Sequence, residues 1–206
     1  MTSLFAPAAL SDTAGAPRVI GLDLSLRATG IAGPGWARTV RSTGRVSDRA
    51  GARRTRLRSL LAEILLATGR PDLVLVEGPS YGSQGAGTWD RAGLWWLVVD
   101  ALHARELPVA IVPPACRAQY ATGRGNAPKQ DVLDAVRDRY AVDVANDNEA
   151  DAYVLAAMGR HRLGAPLATV PEQHLRALDG VQWPDFLPEA PATPGRRHRA
   201  RVDQVG

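Results

Sequence analysis

The chain has 206 residues, of which 45% are hydrophobic and 22% charged, a composition typical of one soluble domain large enough to bury a core. No apolar run reaches the roughly 18–20 residues that a membrane-spanning helix needs, so we expect no membrane partner. A single cysteine, Cys116, excludes an internal disulfide and favours a reducing cytoplasmic location. The net charge of +4 and the pI near 9.8 permit a polyanionic partner.

The predicted elements alternate between short apolar strands and amphipathic helices. Short apolar runs bounded by turn residues indicate strands, and apolar residues at helical spacing indicate helices. In chain order, the predicted elements are strands at 18–24, 29–32 and 36–43, a helix at 48–67, a strand at 72–77, a helix at 88–105, a strand at 108–112, and helices at 128–140 and 147–162. This order predicts a single α/β domain with a mixed sheet flanked by helices.

Both ends of the chain differ in composition from this domain, which is predicted to span residues 18–163. Residues 1–17 lack the basic start and sustained apolar stretch of a signal peptide, so they are predicted to be a disordered leader. From 164 to 206 the chain forms a proline-rich, basic C-terminal tail, and its basic end at 196–201 is predicted to be disordered.

Two of the predicted helices carry surface features of interest. Seven arginines lie between Arg41 and Arg58, and they form either a phosphate-contacting face or an ordinary solvated surface. In the helix at 88–105, Trp95 and Trp96 lie beside or behind the main apolar stripe. Because a helix that is apolar on two sides usually packs against two partners, these residues predict a homodimer contact.

Acidic residues occur at three places where burial would be costly. Asp23 and Glu77 each end an apolar strand, and Asp151 lies on the buried stripe of the last predicted helix. Asp147 falls on the same helical face as Asp151, whereas Glu149 is predicted to point to solvent. Each acid alone is more often a helix cap or a paired structural charge, and Asp147 is well placed to cap its helix.

Together, these acids predict a divalent metal site. Converging carboxylates repel one another and resist ionisation, and oxygen-only ligands suit Mg²⁺ or Mn²⁺. Two such ions about 4 Å apart can clamp a phosphodiester. No cluster of His and Cys with zinc-ligand spacing competes with this interpretation.

Lys129 is the only lysine, and the other basic side chains apart from histidine are arginines. Lysine differs from arginine in being a compact point charge whose proton can be lost. Helical spacing predicts that its stem points inward from the first turn of a helix, where a cation opposes the helix dipole. This placement suggests a phosphate partner nearby, although one lysine among so many arginines could also arise by chance.

Four segments of the chain resemble the RuvC-like Holliday junction resolvases of the ribonuclease H superfamily, particularly the forms from phages and mobile elements. These segments are VIGLDLSLRATGIA at 19–32, LVLVEGP at 73–79, YATGRGNAPKQDV at 120–132 and NDNEADAY at 146–153. The first is weak alone, whereas the GRGNAPKQDV and NEADA pieces are much more specific. The resemblance implies a ribonuclease H-like fold.

The resemblance also implies a homodimeric Mg²⁺-dependent endonuclease that nicks two strands of a four-way junction. Carried over by position, Asp23, Glu77 and Asp151 would be ligands of two metal ions, and Lys129 would assist at the phosphate. The family's penultimate acid usually stands where this chain has Asn148. Either Asp147 replaces it, Asn148 binds through its carbonyl oxygen, or the second metal binds weakly.

Other residues are candidates for DNA contacts. The family probes the junction with the loop after the strand-end Glu, and Tyr81 and Trp89 could stack on unpaired bases there. Trp89 could equally begin the packing surface of its helix. Arg117 and Arg124 are candidates for phosphate contacts, which would make binding steeply dependent on salt.

Three other classes of protein remain open. The chain could be a RuvC-like nuclease for other branched DNA, such as forks or flaps, or a junction-binding protein with weak catalysis, given Asn148. An actin-like or sugar-kinase ATPase is the third class, but such proteins generally need two such domains and a second glycine-rich phosphate loop, and the chain shows neither.

Overall fold

The computed structural model describes residues 15–79, 85 and 87–187. The strands are β1 (Val19–Asp23), β2 (Ala28–Gly33), β3 (Trp36–Arg41), β4 (Leu73–Glu77) and β5 (Val109–Val112). The helices are α1 (Ala50–Thr68), α2 (Thr88–His103), α3 (Pro114–Thr122), α4 (Lys129–Tyr140), α5 (Asp147–Arg162) and α6 (Glu172–Leu175), and a 3₁₀ helix spans Arg176–Gly180. In this part of the chain no helix is both long enough and apolar enough to cross a bilayer.

The five strands form one mixed sheet in the order β3-β2-β1-β4-β5. The hairpin strands β1, β2 and β3 pair antiparallel, whereas β4 is parallel to both β1 and β5. The sheet separates two apolar cores. One contains side chains of α1 and α2, and the other contains side chains of α3, α4 and α5. The predicted single α/β domain with a mixed sheet is therefore confirmed.

Helix α5 lies directly on β1 and β2 because glycines on these strands leave room for its backbone. A Cβ added to Gly21 would collide with the carbonyl oxygen of Ala152, and one added to Gly30 would collide with that of Asn148. Side chains around most of α5 are buried as a result. This close approach brings the first two turns of α5 to the strand ends where the predicted acids lie.

We predict that Gly30→Ala destabilises the protein by several kcal/mol, because the new methyl group would push the first turn of α5 off the sheet. Gly51→Ala in α1 is the matched control. A Cβ at Gly51 meets nothing within 4 Å, so alanine there should raise stability by at most about 1 kcal/mol. Urea unfolding of both variants measures the difference, and equal stabilities would contradict the proposed close packing.

Two features differ from the sequence prediction. Helix α3 occupies residues for which no helix was predicted. The segment from 164 to 187, which the sequence prediction placed outside the domain in a proline-rich tail, packs onto the domain through α6 and the 3₁₀ helix, and Val170, His174 and Ala177 are buried. Gln182 also forms a bridge with Ile111 of β5. Residues 1–14 and 188–206 lie outside the described residues, so their predicted disorder stays a prediction.

Candidate active site

The first two acids of the site end neighbouring parallel strands. Leu22 of β1 lies opposite Val76 of β4, so Asp23 and Glu77, each the next residue, end their strands side by side. Asp23 is buried, and Glu77 is partly buried. The carboxyl ends of the parallel strands lie together at this end of the sheet, here called the sheet edge, and side chains from both strands meet there.

Helix α5 brings the third acid to this edge. Its first turn is capped by Asn146, whose side chain accepts a hydrogen bond from the backbone N–H of Glu149 at 3.1 Å. Asp151 follows one turn later and is almost fully buried. The predicted convergence of Asp23, Glu77 and Asp151 from two strands and a helix agrees with these positions.

Glu149 does not point to solvent, so that prediction is wrong. Its carboxylate accepts hydrogen bonds from the Thr39 hydroxyl at 2.6 Å and from the Ala145 backbone N–H at 2.8 Å. The residue is only 7% exposed. It anchors the start of α5 to strand β3, because a buried carboxylate is stable only when its oxygens are hydrogen-bonded.

Arg117 lies between two of the acids, on the helix that the sequence did not reveal. Its Nε donates to Oε1 of Glu77 at 2.9 Å, and its Nη1 donates to Oδ1 of Asp151 at 2.5 Å. The residue is only 8% exposed, and its guanidinium is already bound to these two acids, so its predicted phosphate contact stays a prediction. Pro114 in the first turn of α3 and Gly123 just after its end are helix signals that could have revealed this element.

Burial and repulsion between carboxylates raise the pKa of Asp23 and of Asp151. The pKa of Asp23 is raised well above its usual value, first by burial and then by the negative charges of Glu77 and Asp151. Burial also raises the pKa of Asp151 to about 7, although the charge of Arg117 opposes that shift. The influence of each acid on the others indicates that the three carboxylates share one site.

Lys129 is the first residue of α4, as predicted, and its ammonium group forms an ion pair with Asp147. The pKa of Lys129 is raised chiefly by its hydrogen bond to Asp147, and the charges of Asp151 and Asp23 add to this effect. The same bond lowers the pKa of Asp147. The Lys129 side chain is 68% exposed, so the predicted inward direction of its stem is wrong, although it does face the acids.

Helix α2 contacts the site through one of its two adjacent tryptophans. The Trp95 indole N–H donates to the backbone carbonyl of Glu77 at 2.9 Å, and its ring meets that of Trp96 edge to face, with centroids 4.8 Å apart. Trp95 packs against the core, whereas Trp96 is exposed. Of the two tryptophans, only Trp96 is therefore accessible to a partner in this structure, and the homodimer contact stays a prediction.

The remaining candidates for DNA contacts lie around this edge or outside the described residues. Trp89 begins α2 with its side chain exposed, so it does not belong to the packing surface of that helix. Arg124 is exposed and pairs with Asp131 at 2.5 Å. Tyr81 lies outside the described residues, so its role stays a prediction.

The acids fit a hard divalent cation by chemistry but are not arranged around one. Across 15–79, 85 and 87–187, no group of three or more Asp, Glu, His or Cys side chains is set up as a ready-made metal site. Instead, Glu77 and Asp151 are arranged around the Arg117 guanidinium. The donors are all carboxylate oxygens, the type that Mg²⁺ and Mn²⁺ prefer.

Comparisons with known proteins identify the fold. No protein-family model matches the sequence, and no curated protein matches it. Among solved structures, RuvC of Thermus thermophilus matches with a TM-score of 0.54 and 23% identity, covering 75% of this chain and 99% of RuvC. T. thermophilus RuvC in complex with a Holliday junction substrate matches with a TM-score of 0.55, 20% identity and the same two coverages.

A yeast mitochondrial Holliday junction resolvase, Ydc2, is also similar, with a TM-score of 0.43 and 10% identity over 82% of this chain and 83% of that one. The two RuvC structures, which this chain matches over 99% of their length, show the fold. The phage-type assignment stays a prediction. The chain therefore has the ribonuclease H-like fold of RuvC, as the four sequence segments predicted.

Proposed function

We propose that this protein is a metal-dependent endonuclease that nicks four-way DNA junctions. The observation that carries this proposal is the meeting of Asp23, Glu77 and Asp151 at one sheet edge of a RuvC-like fold. A buried group of three acids is costly to the fold, and a cation-dependent reaction gives a reason for its presence. The solved RuvC complex with a Holliday junction supports branched DNA as the partner.

In this proposal, Asp23, Glu77 and Asp151 would hold two divalent ions, Mg²⁺ or Mn²⁺, and Asp147 would be the fourth ligand. The bound ions would supply activation of a water molecule and stabilisation of the departing oxygen of the phosphodiester. Lys129 is exposed beside Asp147 and would contact the scissile phosphate. Asp147 must share its carboxylate between Lys129 and an ion, so the second ion would bind more weakly than the first.

The proposed DNA surface surrounds this edge. Trp89 offers an exposed ring for base stacking in the first turn of α2. Arg124 supplies an exposed charge next to α4, and α1 adds further arginines. Phosphate contacts from such groups would make binding strongly salt-dependent.

Cleavage of a labelled four-way junction tests the proposal, with a linear duplex and a replication fork as comparison substrates and with Mg²⁺ or EDTA. We expect Mg²⁺-dependent, paired nicks in the junction and little cutting of the duplex. Equal cutting of forks would favour a general branched-DNA nuclease, and tight junction binding without cutting would favour a binding protein. Tight ATP binding without junction binding would instead support the ATPase alternative.

The proposed homodimer would form through the outer face of α2. Trp96 is 65% exposed there, and Leu97 beside it is also exposed, which is unusual for large apolar side chains unless a partner covers them. A dimer would present two sites to the two strands to be nicked. Its cytoplasmic location stays a prediction.

We predict that Trp96→Glu converts a dimer to a monomer, because a charge would replace a large apolar anchor at the centre of the contact. Phe186→Glu is the matched control, since Phe186 is equally a large exposed apolar residue but lies in the C-terminal segment, next to Leu187 of the other core. Light scattering of the wild type and both variants gives the mass. A wild type that is already monomeric at assay concentration would contradict the prediction.

A further inference from the structure

Arg117 is a buried cation that binds two of the acids proposed to hold metal. It contacts one oxygen each of Glu77 and Asp151, at 2.9 and 2.5 Å. These two hydrogen bonds join Arg117 to residues that are 40 and 34 positions away in the sequence. Helix α3 holds Arg117 in place through contacts with α4, α5, α6 and the 3₁₀ helix. The guanidinium thus stands where a cation shared by these two carboxylates would stand.

The charges of the site change the expected metal affinity. Lys129 and Asp147 neutralise each other as an ion pair. With all three carboxylates ionised, as ion binding requires, these acids and Arg117 carry a formal charge of −2, which one divalent ion would neutralise. Without Arg117 the three acids would attract a divalent ion more strongly, since like charges close to the ion oppose its binding.

The same geometry also allows Arg117 to aid metal binding. Carboxylates that bind metals are often oriented by hydrogen bonds from a second residue, and each acid keeps one oxygen that Arg117 does not use. In that case Arg117 would stay in place when metal binds. What favours displacement is the orientation of the acids, which are gathered around the guanidinium and not around a common ion position.

We infer that Arg117 is an internal counterion, which holds Glu77 and Asp151 together without metal and is displaced from at least one of them when a divalent ion binds. The inference rests on the proposed metal site. It makes Arg117 a positioning residue in the metal-free protein and a competitor of the ion. Because of this competition, the DNA-free protein would bind divalent ions weakly, and the negative charge of a bound DNA phosphate would raise that affinity.

The test is calorimetric titration of the full chain with Mn²⁺, without DNA. Arg117→Gln should bind Mn²⁺ about tenfold more tightly than the wild type, because a neighbouring positive charge is removed. In EDTA the same variant should melt at a lower temperature, and Mn²⁺ should raise its melting temperature more than that of the wild type. Arg117→Lys keeps the charge and should bind Mn²⁺ with nearly wild-type affinity.

Arg53→Gln is the matched control. Arg53 forms an ion pair with Asp90, which is buried like Asp151 but belongs to the α1–α2 layer. This variant should lose stability without any change in Mn²⁺ affinity. If Arg117→Gln binds Mn²⁺ as weakly as the wild type or more weakly, the competition is refuted and the metal-orienting role is supported instead.

A measurement on the wild type decides the question even if Arg117→Gln does not fold. In the NMR spectrum of arginine Nε–H groups, the Arg117 signal should shift on titration with Mg²⁺ and exchange faster with water, while the Arg53 signal stays unchanged. An Arg117 signal that is unmoved at saturating Mg²⁺ would overturn the inference. Because junction cleavage by the wild type is assayed separately, failure of this inference is distinguishable from failure of the proposed nuclease function.

Discussion

Asp23→Asn is expected to lower the rate of metal-dependent junction cleavage on the order of 10³-fold or more, because it removes a charged ligand from the proposed metal site. Asp23 is buried at the end of β1 and lies beside Glu77 on the next strand. Single-turnover cleavage at saturating Mg²⁺ measures the effect. Cleavage by the variant at the wild-type rate would rule out Asp23 as a ligand.

The same substitution is expected to stabilise the metal-free protein at pH 8. The pKa of Asp23 is raised in the folded state, so the folded protein binds more protons than the unfolded chain between the ordinary and the raised pKa. Wild-type stability therefore falls as pH rises through that window. Asparagine avoids this loss, so the variant should be more stable than the wild type at pH values above the ordinary pKa of Asp23 and no more stable well below it, where both states of the wild type are protonated.

Thermal unfolding in EDTA and in Mg²⁺ separates the two effects of this substitution. Mg²⁺ should stabilise the wild type and have little effect on Asp23→Asn. Asp72→Asn is the matched control, since Asp72 lies just before β4 and its exposed carboxylate accepts only the Arg18 backbone N–H at 2.7 Å. That variant should keep both cleavage and the response to Mg²⁺.

Lys129→Ala is expected to lower the rate of cleavage ~10²-fold while leaving the affinity for the junction nearly unchanged, because one cation near the scissile phosphate stabilises developing charge. The ammonium group pairs with Asp147 and feels the charges of Asp151 and Asp23, which places it beside the proposed ions. Single-turnover rates and binding measured in Ca²⁺ or EDTA separate the two quantities.

Gln130→Ala is the control for this prediction. Gln130 is the next residue of α4, is also exposed, and donates to Asp134 at 2.8 Å. Its loss should leave cleavage unchanged. Full turnover by Lys129→Ala would mean that the single lysine of this chain has no part in the reaction.

The sequence predicted the strands and the long helices because their periodicity extends over many residues. Helix α5 has its predicted bounds, since Asn146 caps it and sixteen residues continue the helical pattern. The predicted solvent exposure of Glu149 was wrong because it assumed that α5 has a single buried face. The glycines of β1 and β2 allow α5 to pack so closely on the sheet that nearly all of its faces are buried.

The acids of the site were predictable and their counterion was not. Asp23, Glu77 and Asp151 are conspicuous as charges within apolar segments. Arg117 lies on a nine-residue helix that begins with proline, and such a short element carries little periodic signal. Its pairing with two acids also depends on how α3 is held by α4, α5 and the C-terminal segment, which no local pattern encodes.

The indole of Trp95 links the outer face of α2 to the end of β4, where Glu77 lies. Its N–H donates a hydrogen bond to the backbone carbonyl of Glu77, and its ring packs edge to face against that of the exposed Trp96. A change in the position of Trp96 on binding a second subunit would thus be transmitted to β4 through the side chain of Trp95. Assembly and alignment of the Glu77 carboxylate would then be coupled, so that an unpaired subunit would cut less well than one whose partner is in place.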